Sequence, residues 1–212
     1  MGKIVIFGAG GRVGRQAVAA ALRRGHQVTA VVRDPVRYSG PAGDGVRIAA
    51  GDVTSVPDIA ALAAGHDAAI QAAAVYGAGT DPASFFPGAA RALVTGLPRA
   101  GVDRLVAVGL AALLPGPDGI PLLDAPGFPA EARSFCLAHA AGLEVLRRDG
   151  GSLDWVYVSP AGDFDHDGDG TGRYDIRDHG DLTASISHAD FAITLLDEAG
   201  SPRHRRSHLA VT

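Results

Sequence analysis

The sequence predicts an α/β fold: a doubly wound parallel sheet with helices on both faces, forming one domain with a small C-terminal appendage across residues 1–212. Three observations carry this expectation. Short apolar runs alternate with longer helical stretches along the chain. The runs are nearly continuous in apolar residues, as strands covered on both faces must be. The first of them passes through a glycine-rich turn directly into a helix. Such alternation closes into a parallel sheet with right-handed crossovers.

Taken in order, strands are predicted at Lys3–Phe7, Val28–Val32, Val46–Ala49, Asp67–Ala72, Arg104–Val108 and Leu153–Val158. Helices are predicted over 12–24, 55–64, 83–99 and 130–148. Gly25 after Arg23-Arg24 suits the end of the first helix, because basic side chains and a glycine both favour a C-terminus. Gly101 and Gly150-Gly151 stop two others, and Ser187-His-Ala-Asp190 has the spacing of a capping box opening a late helix. The stretch from Gly162 to Leu182, rich in glycine and aspartate, reads as a long loop or short hairpin. Residues 162–212 (loop, helix and final strand) are expected on the substrate side. The run Arg203-His-Arg-Arg206 reads as a solvated loop or tail.

Composition narrows the function classes. Hydrophobic residues make up 47% and charged residues 20%, ordinary for a soluble globular protein. A net charge of −4 lacks the clustered positive field that nucleic-acid binding needs. Apolar segments are too short for a membrane span or a secretory signal. The single cysteine, Cys136, excludes an internal disulfide, suits a reducing compartment and sits in an apolar stretch as a packing residue. We expect a cytoplasmic protein acting on a small molecule, with no nucleic-acid or membrane partner. Nothing in the pattern specifies an oligomeric state.

The strongest local signal is Lys3-Ile-Val-Ile-Phe-Gly8-Ala-Gly-Gly11-Arg-Val-Gly14, followed by the helical Arg15–Arg24. Strand, glycine turn and helix N-terminus together form the Rossmann phosphate site. Free N–H groups and the positive dipole end meet a pyrophosphate, and glycines let the backbone approach it. Gly8, Gly10, Gly11, Arg12, Val13 and Gly14 are therefore assigned to a dinucleotide. An acid ending the second strand would bind the ribose 2′-hydroxyl of NAD. Here Arg33 stands at that end, and its guanidinium fork suits the 2′-phosphate of NADP. Arg12 could add a second contact. Asp34 follows directly and is the argument for NAD(H); we read NADP(H) as preferred. Asp52, with Val53 after it, can accept from an adenine amino group or cap the next helix, a role Ser55 could also fill. Ala72, Ala73 and Ala74 are small enough to lie against the adenosine ribose.

Together these motifs resemble the atypical short-chain dehydrogenases of the NmrA-like and NADH-flavin reductase-like group, which includes the biliverdin-IXβ/flavin reductases. Val31-Val-Arg-Asp-Pro35, Gly51-Asp-Val-Thr54, Ala100–Gly109, Asp124–Glu131, Leu153–Pro160, Thr171–Tyr174 and Ile186–Asp190 extend the resemblance over nearly the whole chain. It implies that Gly109 and the Ser159-Pro160 turn border a nicotinamide. Departures fall at the reaction centre. Gly109-Leu-Ala-Ala-Leu113 lacks the expected hydroxyl, Ala132-Arg133 stands where Tyr-Lys is common, and Lys3 is the only lysine.

Candidate chemistry follows. In Asp163-Phe-Asp-His-Asp-Gly-Asp-Gly170, residues Asp163, Asp165, Asp167 and Gly168 fall at calcium-loop positions, but Tyr174 takes the place of the required glutamate, so no metal is assigned. Asp163 and His166 are the candidate proton-transfer residues, since their loop leaves the ligand-bearing edge of the sheet. His139 is read as structural and Tyr76 as a packed or cleft-lining aromatic. The expected activity is NADPH-dependent reduction of a flavin, quinone or conjugated carbonyl compound, with flavin as substrate rather than bound cofactor. A non-redox enzyme (cyclase, dehydratase or isomerase) of the same fold and an NmrA-like NADP(H) sensor share the same residues.

Overall fold

A computed structural model describes residues 2–212. Strand β1 (Lys3–Phe7) leads into helix α1 (Arg12–Arg23), followed by β2 (Gln27–Val32), β3 (Val46–Ala50), α2 (Val56–Ala63) and β4 (Ala68–Gln71). Helix α3 (Pro82–Arg99), β5 (Arg104–Val108), α4 (Ala130–Asp149) and β6 (Asp154–Pro160) come next. The chain ends with β7 (Asp163–Asp165), β8 (Ile176–Arg177), β9 (Ser185–Ser187), α5 (His188–Gly200) and β10 (Ser207–Val211). The main sheet has the order β3-β2-β1-β4-β5-β6-β10-β8, and only the two-residue β8 pairs antiparallel.

Strand alternation sorts the core into two layers. Ile4 and Ile6 face α1 and α5, where Val18, Phe191 and Leu195 are buried with them. Val5 and Phe7 face the other way, against Ile59 of α2, Leu93 and Leu97 of α3, and Leu143 and Leu146 of α4. Each buried Leu, Ile or Phe contributes roughly 1.5–3 kcal/mol relative to exposure. The doubly wound Rossmann arrangement is the fold the sequence predicts.

The C-terminal part differs from the loop or hairpin expected. Strand β7 pairs in parallel with β9 as a separate two-stranded sheet, while β8 joins the edge of the main sheet. Two elements that look like one hairpin thus serve different sheets. The basic run is also more than a solvated loop. Arg104, only 6% exposed, donates to Glu198 and Asp154 at 2.9 and 3.0 Å. The backbone N–H groups of Arg203 and His204 close on the same Glu198 carboxylate, and Arg205 pairs with Asp154. The turn between α5 and β10 therefore completes a buried charge cluster, which needs all its partners to offset desolvation.

Candidate functional site

The order β2-β1-β4-β5 places a topological switch between β1 and β4: the chain winds outward from β1 through β2 and β3, then returns to β4. Ligands of open α/β sheets bind beyond the strand ends at this point. There the structure opens a cleft of about 1150 Å³. Gly8, Gly10, Gly11, Arg12, Val13, Arg33, Asp52, Val53, Ala72, Ala73, Ala74 and Gly109 all line it, so most residues singled out from sequence converge.

The glycines divide by physical role. Gly8 has φ +80°, and a Cβ there would collide with the Ala73 backbone, so the close passage of β1 past β4 requires it. A Cβ on Gly14 would strike the Gly8 carbonyl, which makes Gly14 the helix–strand contact rather than a lining residue. Gly10 and Gly11 are different. A Cβ on either meets its nearest neighbour at 3.4 Å, ordinary contact, and neither has positive φ. The fold tolerates a side chain at both; a ligand lying against the loop would not.

Helix α1 starts after Gly11, its N-cap, with no side-chain cap and no acid in its first turn. Its first N–H groups and positive dipole end are left for an anion. On the opposite wall, Gln71 clasps Ala73 from both sides. Its Oε1 accepts from the Ala73 N–H at 3.0 Å and its Nε2 donates to the Ala73 carbonyl at 2.9 Å. That clasp, unrecognised in the sequence, fixes the small-residue strip.

Past β2, Asp34 turns its carboxylate into its own chain and accepts from Val36 N–H at 3.0 Å, opening a single 3₁₀ turn. The turn brings Arg37 and Tyr38, neither predicted, onto the wall beside Arg33. Asp52 does not cap α2: Ser55 does, while Asp52 accepts from Thr54 N–H and Oγ1, both at 2.8 Å.

At the other end the structure departs from the expected chemistry. Ser159 and Pro160 lie off the cleft lining, because they are buried as β6 pairs with β10. Ser159 Oγ sits 2.7 Å from His208 Nε2, directly beneath Gly109. The pair Asp163 and His166 is not assembled either. Asp163 accepts from the Phe164 N–H, whereas His166 reaches across the cleft to Arg12, with Nδ1 and Nη1 2.9 Å apart. His166 also stacks on His188, which stacks on Phe164. Burial holds the His188 imidazole below its usual pKa, and the neighbouring His166, Arg12 and Arg15 act in the same direction.

The calcium-like residues form a tight turn, in which the Asp165 carboxylate accepts from the N–H groups of Asp167 and Gly168. Cys136 is buried against Ala112 and Leu123, and burial pushes its thiol pKa up. Tyr76, 77% exposed, stands at the rim. Phe85, Phe135 and His139 form the inner wall near Gly109 and Leu110. Phe135 and His139, four residues apart on α4, share a helical face, which is the signal that could have revealed them.

Residues 8–202 match a family described as NAD(P)H-binding. The chain belongs to the NAD(P)H-binding family. The uncharacterized protein YwnB of Bacillus subtilis (strain 168) is 33% identical over 99% of this chain and 97% of its own. Among solved structures, a candidate exported protein from Burkholderia pseudomallei superposes with TM-score 0.82 at 36% identity over the whole of both chains. A candidate NADH-flavin reductase from Streptococcus pneumoniae TIGR4 superposes with TM-score 0.80 at 30% identity, over 100% of this chain and 99% of that one. The likeness supports placement of this NAD(P)H-binding protein in the NmrA-like, flavin reductase-like group. The site residues fit the family's cofactor: an uncapped helix start, two sterically free glycines and a small-residue strip line one cleft. Among the described residues, no helix is long and apolar enough to cross a membrane.

Proposed function

We propose that this protein is an NADPH-dependent oxidoreductase that reduces a planar conjugated acceptor: a flavin, a quinone or a conjugated carbonyl compound. One observation carries the reading. A single cleft joins an arginine-walled end to an aromatic-walled end. Arg12, Arg33 and Arg37 line the first, and among the described residues none of them has a carboxylate within ion-pair distance. Unpaired guanidinium groups beside a ribose site favour a 2′-phosphate over a hydroxyl. The second end carries Tyr76, Phe85 and Phe135, which suit a flat, electron-poor ring.

The α1 N-terminus, with Gly10 and Gly11, would receive the pyrophosphate, and Ala72–Ala74 and Asp52 the adenosine. Gly109 would border the nicotinamide. Segment 162–212 contributes Phe164, His166 and His188 to the cleft rim. In this reading His166 serves Arg12 rather than proton transfer. When bound, the reduced dinucleotide supplies a hydride; the protein's part is proximity and exclusion of water, with the final proton drawn from solvent.

The test pairs two measurements. NADPH consumption is followed spectrophotometrically with a panel of flavins and quinones, and calorimetry compares NADPH with NADH. Turnover of a panel member with tighter NADPH binding is the expected result. Binding without turnover of any acceptor would remove the redox reading and leave an NADP(H) sensor or a non-redox enzyme.

A further inference from the structure

The aromatic end of the cleft lacks the hydroxyl and Tyr-Lys side chains that the family resemblance implies. Leu110, Ala111 and Ala112 follow Gly109, and Arg133 is engaged elsewhere, bonded to Asp124 and the Leu123 carbonyl. One buried polar group remains on that wall. His139, 6% exposed, has its ring against Phe86 at 3.7 Å and near Phe135 at 5.0 Å.

We propose that His139 is the substrate-orienting donor of this site: its Nε2–H recognises a carbonyl oxygen on the planar acceptor, with Tyr157 as the positioning residue. This rests on the oxidoreductase reading and deepens it by naming the feature of the substrate that is recognised.

The tautomer follows from hydrogen-bond accounting. Tyr157 is buried and its hydroxyl has one partner among the described residues, His139 Nδ1 at 2.9 Å. Burial raises the Tyr157 pKa, so the hydroxyl keeps its proton. A buried hydroxyl with one available acceptor donates to it, since an unmade bond costs the desolvation penalty. Nδ1 therefore accepts, and the ring proton resides on Nε2. Burial holds the His139 pKa down to about 4, so the ring is neutral near pH 7. Nε2 has no hydrogen-bond partner among the described residues, and His139 is one of the residues that line the cleft. The result is a single N–H donor set in an aromatic wall, a common way for largely apolar sites to fix ligand orientation.

The reaction balances without proton transfer from the protein. The reduced dinucleotide would supply a hydride, and with it both electrons of the reduction, to an electron-poor position of the acceptor. Negative charge develops on the conjugated carbonyl oxygen, where the Nε2–H bond strengthens. Solvent would then protonate that oxygen, and His139 keeps its proton throughout.

The tautomer is tested first, on the cofactor-free protein, by nitrogen-15 NMR of the imidazole. Nε2–H in wild type is expected, and Nδ1–H would overturn the proposal. Lumichrome, a planar flavin ring bearing carbonyls, is then titrated by calorimetry into wild type and into the His139→Phe/Tyr157→Phe double variant, which leaves no orphaned hydroxyl. Circular dichroism confirms the fold of both. Binding about tenfold weaker in the variant is expected for loss of one buried hydrogen bond, with a drop in kcat of about 100-fold and NADP⁺ affinity unchanged. Equal lumichrome affinity in both proteins, or no binding to either, overturns the assignment. Failure of wild type to bind NADP⁺ would instead strike the oxidoreductase reading, and the NMR result would stand apart from it.

Discussion

Arg33 and Asp34 are adjacent residues with opposite implications for the cofactor, and their local geometry separates them. Asp34 spends its carboxylate on the Val36 N–H of its own turn, whereas Arg33 has no carboxylate partner among the described residues. Arg33→Asp is expected to weaken NADPH binding by about 1–3 kcal/mol, through loss of a charge-assisted contact and added repulsion, while NADH affinity stays within about twofold. Calorimetry with both dinucleotides checks this, and an unchanged NADPH dissociation constant would reject the 2′-phosphate role. His166 works through a different arginine. A guanidinium can only donate, so His166 Nδ1 accepts from Arg12 and tethers it beside the glycine loop. His166→Ala should therefore raise the NADPH dissociation constant about threefold to tenfold, the value of one hydrogen bond in preorganisation, and leave kcat within about twofold. A fall in kcat of the 100-fold size typical of acid–base groups would return His166 to the chemistry.

At the scale of elements, the start of α1 is where fold and binding can be separated experimentally. Gly11 has φ −72° and a Cβ there makes only ordinary contact, so Gly11→Val should fold with a melting temperature near that of wild type. It should nevertheless lose measurable NADP(H) binding, because a branched side chain there occupies the pyrophosphate's approach. Gly8→Val is the contrast: positive φ and collision with the Ala73 backbone should cost about 1–3 kcal/mol or more in stability. A Gly11 variant that binds as wild type would reduce the glycine loop to a turn. These elements were legible because burial on both faces writes a continuous apolar run, and β1 and β5 fall where the runs lie. The tail was not. Strands β7 and β9 are three residues each and pair in parallel across the intervening loop, which leaves no periodicity to read. The same holds for the walls of the site. The Gln71 clasp, the 3₁₀ turn carrying Arg37 and the His139–Tyr157 contact depend on tertiary approach, so the glycine loop was clear in the sequence and the aromatic end of the cleft was not.

Across the whole molecule, the cleft and the core share a set of buried histidines, and this gives the fold its own dependence on pH. His139 bonds the Tyr157 hydroxyl and His208 packs edge-on against the same Tyr157 ring, and burial holds the pKa of each down to about 4. In the unfolded chain both would titrate near 6.5. Between these values the unfolded state takes up protons that the native state refuses, so stability is full above about pH 6.5 and declines as the pH falls toward 4. At about 1.4 kcal/mol per pKa unit, each histidine accounts for a loss of about 3 kcal/mol over that window. Two such losses are comparable with the 5–15 kcal/mol that holds a typical domain together. Melting temperatures recorded by circular dichroism should therefore fall steeply between about pH 6.5 and 4.5. His208→Gln retains a side chain able to bond Ser159 Oγ and removes the ionisable ring, so its melting curve should be flatter over the same window. Equal slopes in wild type and variant would show that acid sensitivity arises elsewhere.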